Sequence, residues 1–219
     1  VGQFIQTSFL ALGFFVTTTL SAQTTAPAAA TSQKTKEHII LCLGDSLTEG
    51  YGVPIEKSWP SLMQEYFAKQ NVKVLNSGIS GATSASGPGR LKWHLKSPEK
   101  PEIMILALGA NDGLRGQPVA SMKENLSKTI VMAKEAGIRP VLAGMRIPPN
   151  YGQEYADAFE KVFVDLAKEH SIGLIPFLLE GVAARKELNL PDGIHPNPDG
   201  YKIVIKNVLQ IVEPMLKDK

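Results

Sequence analysis

Ile103-Met104-Ile105-Leu106-Ala107-Leu108 is an unbroken run of six apolar residues, too short for a buried helix and lacking the polar alternation of a strand that shows one face to water. Four similar runs recur, at residues 38–43, 72–76, 140–145 and 173–177. Between and after them lie segments whose apolar residues fall at helical spacing, at 59–70, 121–136, 155–170 and 199–216. Leu126, Ile130 and Val131 carry that spacing in the second of these, and Phe159, Val162, Phe163 and Leu166 in the third. Strand-like runs alternating with amphipathic helices are the βαβ rhythm, and continuous apolar strands must be covered on both faces. The pattern predicts an α/β fold: a three-layer α/β/α sandwich around five mostly parallel strands.

The chain has 219 residues, 43% of them apolar, enough for one core. Its 23 basic and 21 acidic residues leave a net charge of +2, so no field directs it to nucleic acid or to an anionic surface. A single cysteine, Cys42, excludes an intramolecular disulfide and a cysteine-based zinc site. Within its apolar run Cys42 reads as a packed thiol, not a nucleophile. His38, His94 and His170 have no partners at metal-ligand spacing, so no metal or other cofactor is predicted.

Residues 4–20 form an apolar stretch, followed by Ser21-Ala22-Gln23 and a Thr/Ala/Pro/Ser-rich run. The order matches a signal-peptide core with a small-residue cleavage site after Ala22. It predicts a removed segment at 1–22, a flexible tether at 23–36, the folded domain at 37–219, and export to a bacterial periplasm or beyond. That template expects a Lys or Arg before the apolar stretch and none precedes it, so an uncleaved anchor helix or a tail remain alternatives. No other segment is long and apolar enough to span a bilayer.

In open parallel sheets, ligands bind beyond the carboxyl ends of the strands, and the polar, glycine-rich segments here all follow strands. Gly44-Asp45-Ser46 follows the first, Ser77-Gly78-Ile79-Ser80-Gly81 the second, Gly109-Ala110-Asn111-Asp112-Gly113 the third, and Arg146-Ile147-Pro148-Pro149-Asn150-Tyr151-Gly152 the fourth. Near the far end of the chain, Asp192 lies three residues before His195 in a turn set by Pro191, Gly193 and Pro196. That aspartate can accept the Nδ1 proton of the imidazole, freeing Nε2 to take a proton from a hydroxyl. Ser46, at a strand-to-helix turn, is the candidate hydroxyl. Taken singly, each residue has a plainer reading: Ser46 and His195 as helix caps, Gly81 as a turn glycine, Asn111 as an Asx turn. Taken together, those readings require four coincidences in order.

Gly44-Asp45-Ser46-Leu47, Gly81, Gly109-Ala110-Asn111-Asp112 and Asp192-Gly193-Ile194-His195 resemble, in order, the four sequence blocks of the GDSL, or SGNH, hydrolase family. The resemblance covers about 180 residues, from His38 to Leu216. Asn111-Asp112-Gly113-Leu114-Arg115-Gly116 and the segment 146–152 are similar to loops of its branch of bacterial thioesterases, lysophospholipases and periplasmic arylesterases. The resemblance implies a flavodoxin-like SGNH sheet, Ser46 as nucleophile, His195 as base, Asp192 as its orienting acid, and an oxyanion hole made by Ser46, Gly81 and Asn111. It implies a serine hydrolase acting on a small-molecule ester or thioester, of short to medium acyl or aryl type, with lysophospholipids as a further candidate. Asp45, Ile79, Arg146, Ile147, Pro148 and Tyr151 are candidate substrate contacts. Ordinary packing at strand ends competes for the apolar ones, and an ion pair for Arg146.

Thr48 stands where the nucleophile elbow of α/β-hydrolases needs glycine. Neither a Gly-x-Gly-x-x-Gly fingerprint nor a P-loop ending is present. A carbohydrate deacetylase on the same sheet is the main alternative. A non-catalytic binding module is the other, though it has no need of a nucleophile, base and acid together.

Overall fold

The computed structural model describes residues 1–5, 7, 8, 10, 13 and 37–217, and the chain divides into two units, 1–34 and 35–219. The described residues of the first unit have no regular secondary structure. The expected cleavage site and tether lie outside the described residues. Among the described residues no helix is long and apolar enough to cross a membrane.

Among the described residues, the second unit carries every strand and α-helix. In chain order these are β1 (His38–Gly44), α1 (Ser46–Glu49), α2 (Trp59–Tyr66), β2 (Val72–Gly78), α3 (Gly87–His94), β3 (Ile103–Ala107), α4 (Ala110–Leu114), α5 (Val119–Glu135), β4 (Arg139–Ala143), α6 (Gln153–His170), β5 (Gly173–Ile175) and α7 (Pro198–Lys217). The strands are parallel and ordered β2-β1-β3-β4-β5. Chain direction across the sheet reverses after β2, so the β1 and β3 carboxyl ends flank the switch point where a crevice opens. Right-handed crossovers then set the layers: α2 packs with α7 on one face, while α5 packs with α3 and α6 on the other.

Burial explains the continuous apolar strands. Ile40 to Leu43 and Ile103 to Leu106 are fully buried, sandwiched between helix layers. Edge strand β2 is only partly covered, and it is correspondingly more polar. In α6 the buried stripe includes Phe159, Val162, Phe163 and Leu166, as its spacing predicts. In α5 the stripe runs through Met122, Leu126, Thr129, Ile130 and Ala133, leaving Val131 exposed on the flank.

One local reading changes, and one helix forms where none is predicted. The predicted helix over 59–70 stops at Tyr66, and the chain turns into β2 through Asn71 in the left-handed region, at φ 52°. Helix α3 falls in Gly87-Pro88-Gly89-Arg90, a stretch whose composition signals a loop. Pro88 lies in the first turn, where its missing N–H has no helical partner to lose.

Candidate active site

The nucleophile candidate is placed by the end of β1. Asp45, not Ser46, caps α1: its Oδ1 accepts the Leu47 N–H at 3.0 Å. Ser46 is therefore the first helical residue, with its hydroxyl free of any capping role. Arg90 of α3 donates to the carbonyls of Gly44 and Ser77, tying the ends of β1 and β2 together below it. From the opposite layer, the buried Tyr201 hydroxyl of α7 donates to the Leu47 carbonyl at 3.1 Å.

His195 arrives on the loop before α7. The Leu190 N–H donates to the His195 carbonyl at 2.8 Å, and the Gly193 N–H to the Leu190 carbonyl at 2.9 Å, closing the loop on itself. Within it, Asp192 Oδ1 accepts the backbone N–H groups of Ile194 and His195, each at 3.0 Å, while Oδ2 lies 2.7 Å from His195 Nδ1. With the ring proton on Nδ1, Nε2 accepts the Ser46 hydroxyl at 2.9 Å. Burial pushes the Asp192 carboxyl up, but the bonds from Ile194 and His195 outweigh it and hold the group below its ordinary value. It stays ionised, as an acceptor for imidazolium must. Tyr51 covers the ring, its centroid 4.7 Å from that of His195.

Ser46, His195, Gly81 and Asn111 all wall one cavity of about 570 Å³. Asn111 sits in the first turn of α4, after the third strand, and its Nδ2 donates to the Ala82 carbonyl at 3.0 Å with a second amide hydrogen left over. Gly81 holds φ 76°, a conformation other residues adopt only under strain. Away from the polar end the walls are apolar, with Leu47, Leu114, Met145, Ile147, Phe177 and Leu179. Phe177 and Leu179 come from the segment after β5, a contribution the sequence does not announce.

Among the candidate substrate contacts, Asp45, Arg146, Ile147 and Pro148 are cavity walls, whereas Ile79 and Tyr151 are not. Ile79 is half-exposed at the end of β2, and its N–H bonds back to Gly44. Tyr151 turns its hydroxyl to the Leu114 carbonyl at 2.9 Å. Arg146 pairs with Glu160 at 2.8 Å, lies 4.8 Å above the Phe177 ring and borders the cavity. Asp45 is 2% exposed, and burial carries its carboxyl up to about 7 against the pull of the Leu47 N–H and Arg90.

Cys42 is buried, and burial pushes its thiol up, away from reactivity. His38, His94 and His170 bond separately to Glu102, Ser77 and Ser127. Among the described residues no group of His, Cys, Asp and Glu is arranged to hold a metal ion.

A parallel sheet of this order, with serine, histidine and aspartate gathered at its carboxyl edge, defines an SGNH-type α/β/α hydrolase fold. The chain belongs to the GDSL-like lipase/acylhydrolase family, whose model matches residues 42–203. It is 42% identical to an arylesterase of Vibrio mimicus over 173 residues, covering 78% of this chain and 86% of that protein. It is 35% identical to thioesterase 1/protease 1/lysophospholipase L1 of Escherichia coli K12 over 177 residues, covering 81% and 84%. The crystal structure of TesA superposes with a TM-score of 0.78 at 36% identity, covering 81% of this chain and 99% of that one.

Proposed function

We propose that the protein hydrolyses carboxylic esters of short to medium acyl or aryl groups, thioesters included, through an acyl-Ser46 intermediate. The observation that carries this reading is the continuous relay from Ser46 to His195 to Asp192, at 2.9 and 2.7 Å, opening onto an apolar cavity.

His195 Nε2 takes the Ser46 proton as Oγ adds to the carbonyl carbon, and Asp192 stabilises the imidazolium and fixes its tautomer. Negative charge gathers on the former carbonyl oxygen. The N–H groups of Ser46 and Gly81 and the Asn111 amide are its donors. His195 then protonates the leaving alcohol or thiol as the C–O or C–S bond breaks. Water enters, gives its proton to His195, attacks the acyl-enzyme and releases the acid, and Ser46 recovers its proton.

The names of the similar proteins, an arylesterase and a thioesterase/lysophospholipase, support the ester class. The apolar walls favour an acyl or aryl group over a sugar, which supports an esterase above a deacetylase. We further propose export, supported by the apolar stretch at 4–20 and the small residues that follow it.

A fluorophosphonate should label Ser46 in the folded protein and leave Ser46→Ala unmodified. A series of p-nitrophenyl esters and acyl thioesters of increasing length, with that variant as blank, should then show turnover that depends on chain length. Absence of labelling at Ser46 in folded protein would overturn the hydrolase.

A further inference from the structure

Two of the three oxyanion donors ride on helices, but the third is on a loop. Ser46 opens α1 and Asn111 lies in the first turn of α4, whereas Gly81 sits in an exposed connection at φ 76°. A glycine there has wide freedom, and a displacement of about half an ångström is enough to spoil a catalytic constellation. Something must hold that loop in place.

Two side chains of opposite charge bond to it. Glu49, the last residue of α1, accepts the Ser80 N–H at Oε2, 2.7 Å away, and the same oxygen accepts the Ser80 hydroxyl. Arg115, the C-cap of α4, donates from Nη2 to the Gly81 carbonyl at 3.0 Å. The peptide before the Ser80–Gly81 unit is thus held by an anion, and the one after it by a cation. A third tie comes from Asn111 itself, through the Ala82 carbonyl.

We propose that Glu49 and Arg115 are positioning residues for the oxyanion hole, each reaching from the helix of one donor to fix the loop that carries the third. This rests on the assignment of Ser46, Gly81 and Asn111 made above. Both residues are exposed, and exposed charged groups contribute little to global stability. Their effect should therefore appear in turnover and not in the melting temperature.

The test measures kcat, KM and Tm for Glu49→Ala, Arg115→Ala and Glu49→Gln, together with affinity for an alkyl trifluoromethyl ketone. Ser46 adds to that ketone to give an anionic hemiketal, which the same hole must hold. Each alanine variant should lose about 10- to 100-fold in kcat. KM should stay within about twofold, ketone affinity should fall in parallel with kcat, and binding of an unreactive alkyl alcohol should not change. Glu49→Gln, whose amide oxygen can still accept the Ser80 N–H, should recover most of the loss. Parent-like kcat and ketone affinity in both alanine variants, with Ser46→Ala and Asn111→Ala inactive, would overturn the clamp and leave the site assignment standing. Loss of kcat that tracks a fall in Tm and is not relieved by glutamine would also overturn it. Full turnover by Ser46→Ala would remove the assignment on which the clamp depends.

Discussion

Gly78→Ala tests whether the contact between β2 and α1 sets the position of Ser46. Gly78 ends β2 and pairs with Gly44, the last residue of β1. A Cβ built there would lie 2.0 Å from the Glu49 nitrogen, 2.4 Å from the Glu49 Cα and 2.6 Å from the Thr48 carbonyl carbon, where ordinary contact begins at 3.4 Å. All three are backbone atoms of α1, so no side-chain rotation relieves the clash. Helix α1 is a single turn of four residues, capped by Asp45 at one end and held to α7 through Tyr201. Pushing Thr48 and Glu49 away by an ångström must therefore carry Ser46 off its 2.9 Å contact with His195. Overpacking of this kind costs about 1–3 kcal/mol, and for a domain of this size each kcal/mol lowers Tm by roughly 2–4 °C. A misplacement of about 1 Å costs on the order of 10²-fold in rate. Gly78→Ala should thus melt about 2–12 °C lower and turn over a p-nitrophenyl ester roughly a hundredfold more slowly. The control is Gly89→Ala in α3, whose Cβ would meet nothing within 4 Å, and it should be neutral or slightly stabilising. Parent-like Tm and kcat in Gly78→Ala would refute the reasoning, because the close approach of β2 would then not be what places the nucleophile.

Asn111→Ala should lower kcat about 10²- to 10³-fold with KM little changed, since the amide serves the oxyanion more than the bound substrate; equal losses in kcat and Tm would point to a structural role instead. Tyr201→Phe removes a buried hydroxyl from the Leu47 carbonyl and should cost about 1–3 kcal/mol by urea unfolding; an unchanged midpoint would show that the bond contributes nothing net. Asp45→Asn keeps an acceptor for the Leu47 N–H but carries no charge. Between its ordinary value of 3.8 and about 7, folded Asp45 holds a proton that the unfolded chain has released, so its contribution to stability falls as pH rises through that window and is flat above it. The asparagine variant should match the parent near pH 4 and exceed it at pH 8 by on the order of a few kcal/mol, and parallel urea-unfolding profiles for the two proteins across that range would dismiss the effect.

The strands and long helices were legible because burial imposes their pattern directly. Ile103 to Leu108 can be apolar throughout only if both faces are covered, and α6 needs Phe159, Val162, Phe163 and Leu166 on one side. Helix α3 was not legible, because Gly87-Pro88-Gly89 has the composition of a turn, while the helix it opens packs against β1 and α5. The base half of the relay was legible for a local reason: Asp192 and His195 are three residues apart, so one turn determines their geometry, whereas Ser46, 149 residues from His195, was reached through its strand-to-helix turn and the family resemblance. Glu49 and Arg115 act on a loop 31 and 34 residues away, a pairing no local pattern encodes. Ile79 and Tyr151 lie off the cavity wall for a related reason. Following a strand puts a residue at the rim, but the direction of its side chain depends on neighbours distant in sequence, as the Leu114 carbonyl is for Tyr151.

Gly-Asp-Ser shows how a local ambiguity is settled by structure. From the tripeptide alone, Ser46 is a good helix cap, and a capping serine has its hydroxyl turned to the backbone, where it cannot attack a carbonyl carbon. Asp45 takes the capping position and so moves the helix start one residue forward, leaving the serine hydroxyl to His195. Burying the cap carboxyl carries a free-energy cost, visible in its elevation to about 7. That cost is tolerated next to the nucleophile, where a stability rule is expected to yield to the site's chemistry. If Asp45 serves as the cap that frees Ser46, Asp45→Asn should retain most of the labelling of Ser46 by a fluorophosphonate, whereas Asp45→Ala, with no acceptor for the Leu47 N–H, should lose it. Equal labelling of both variants would mean that the serine hydroxyl is held by something other than the cap.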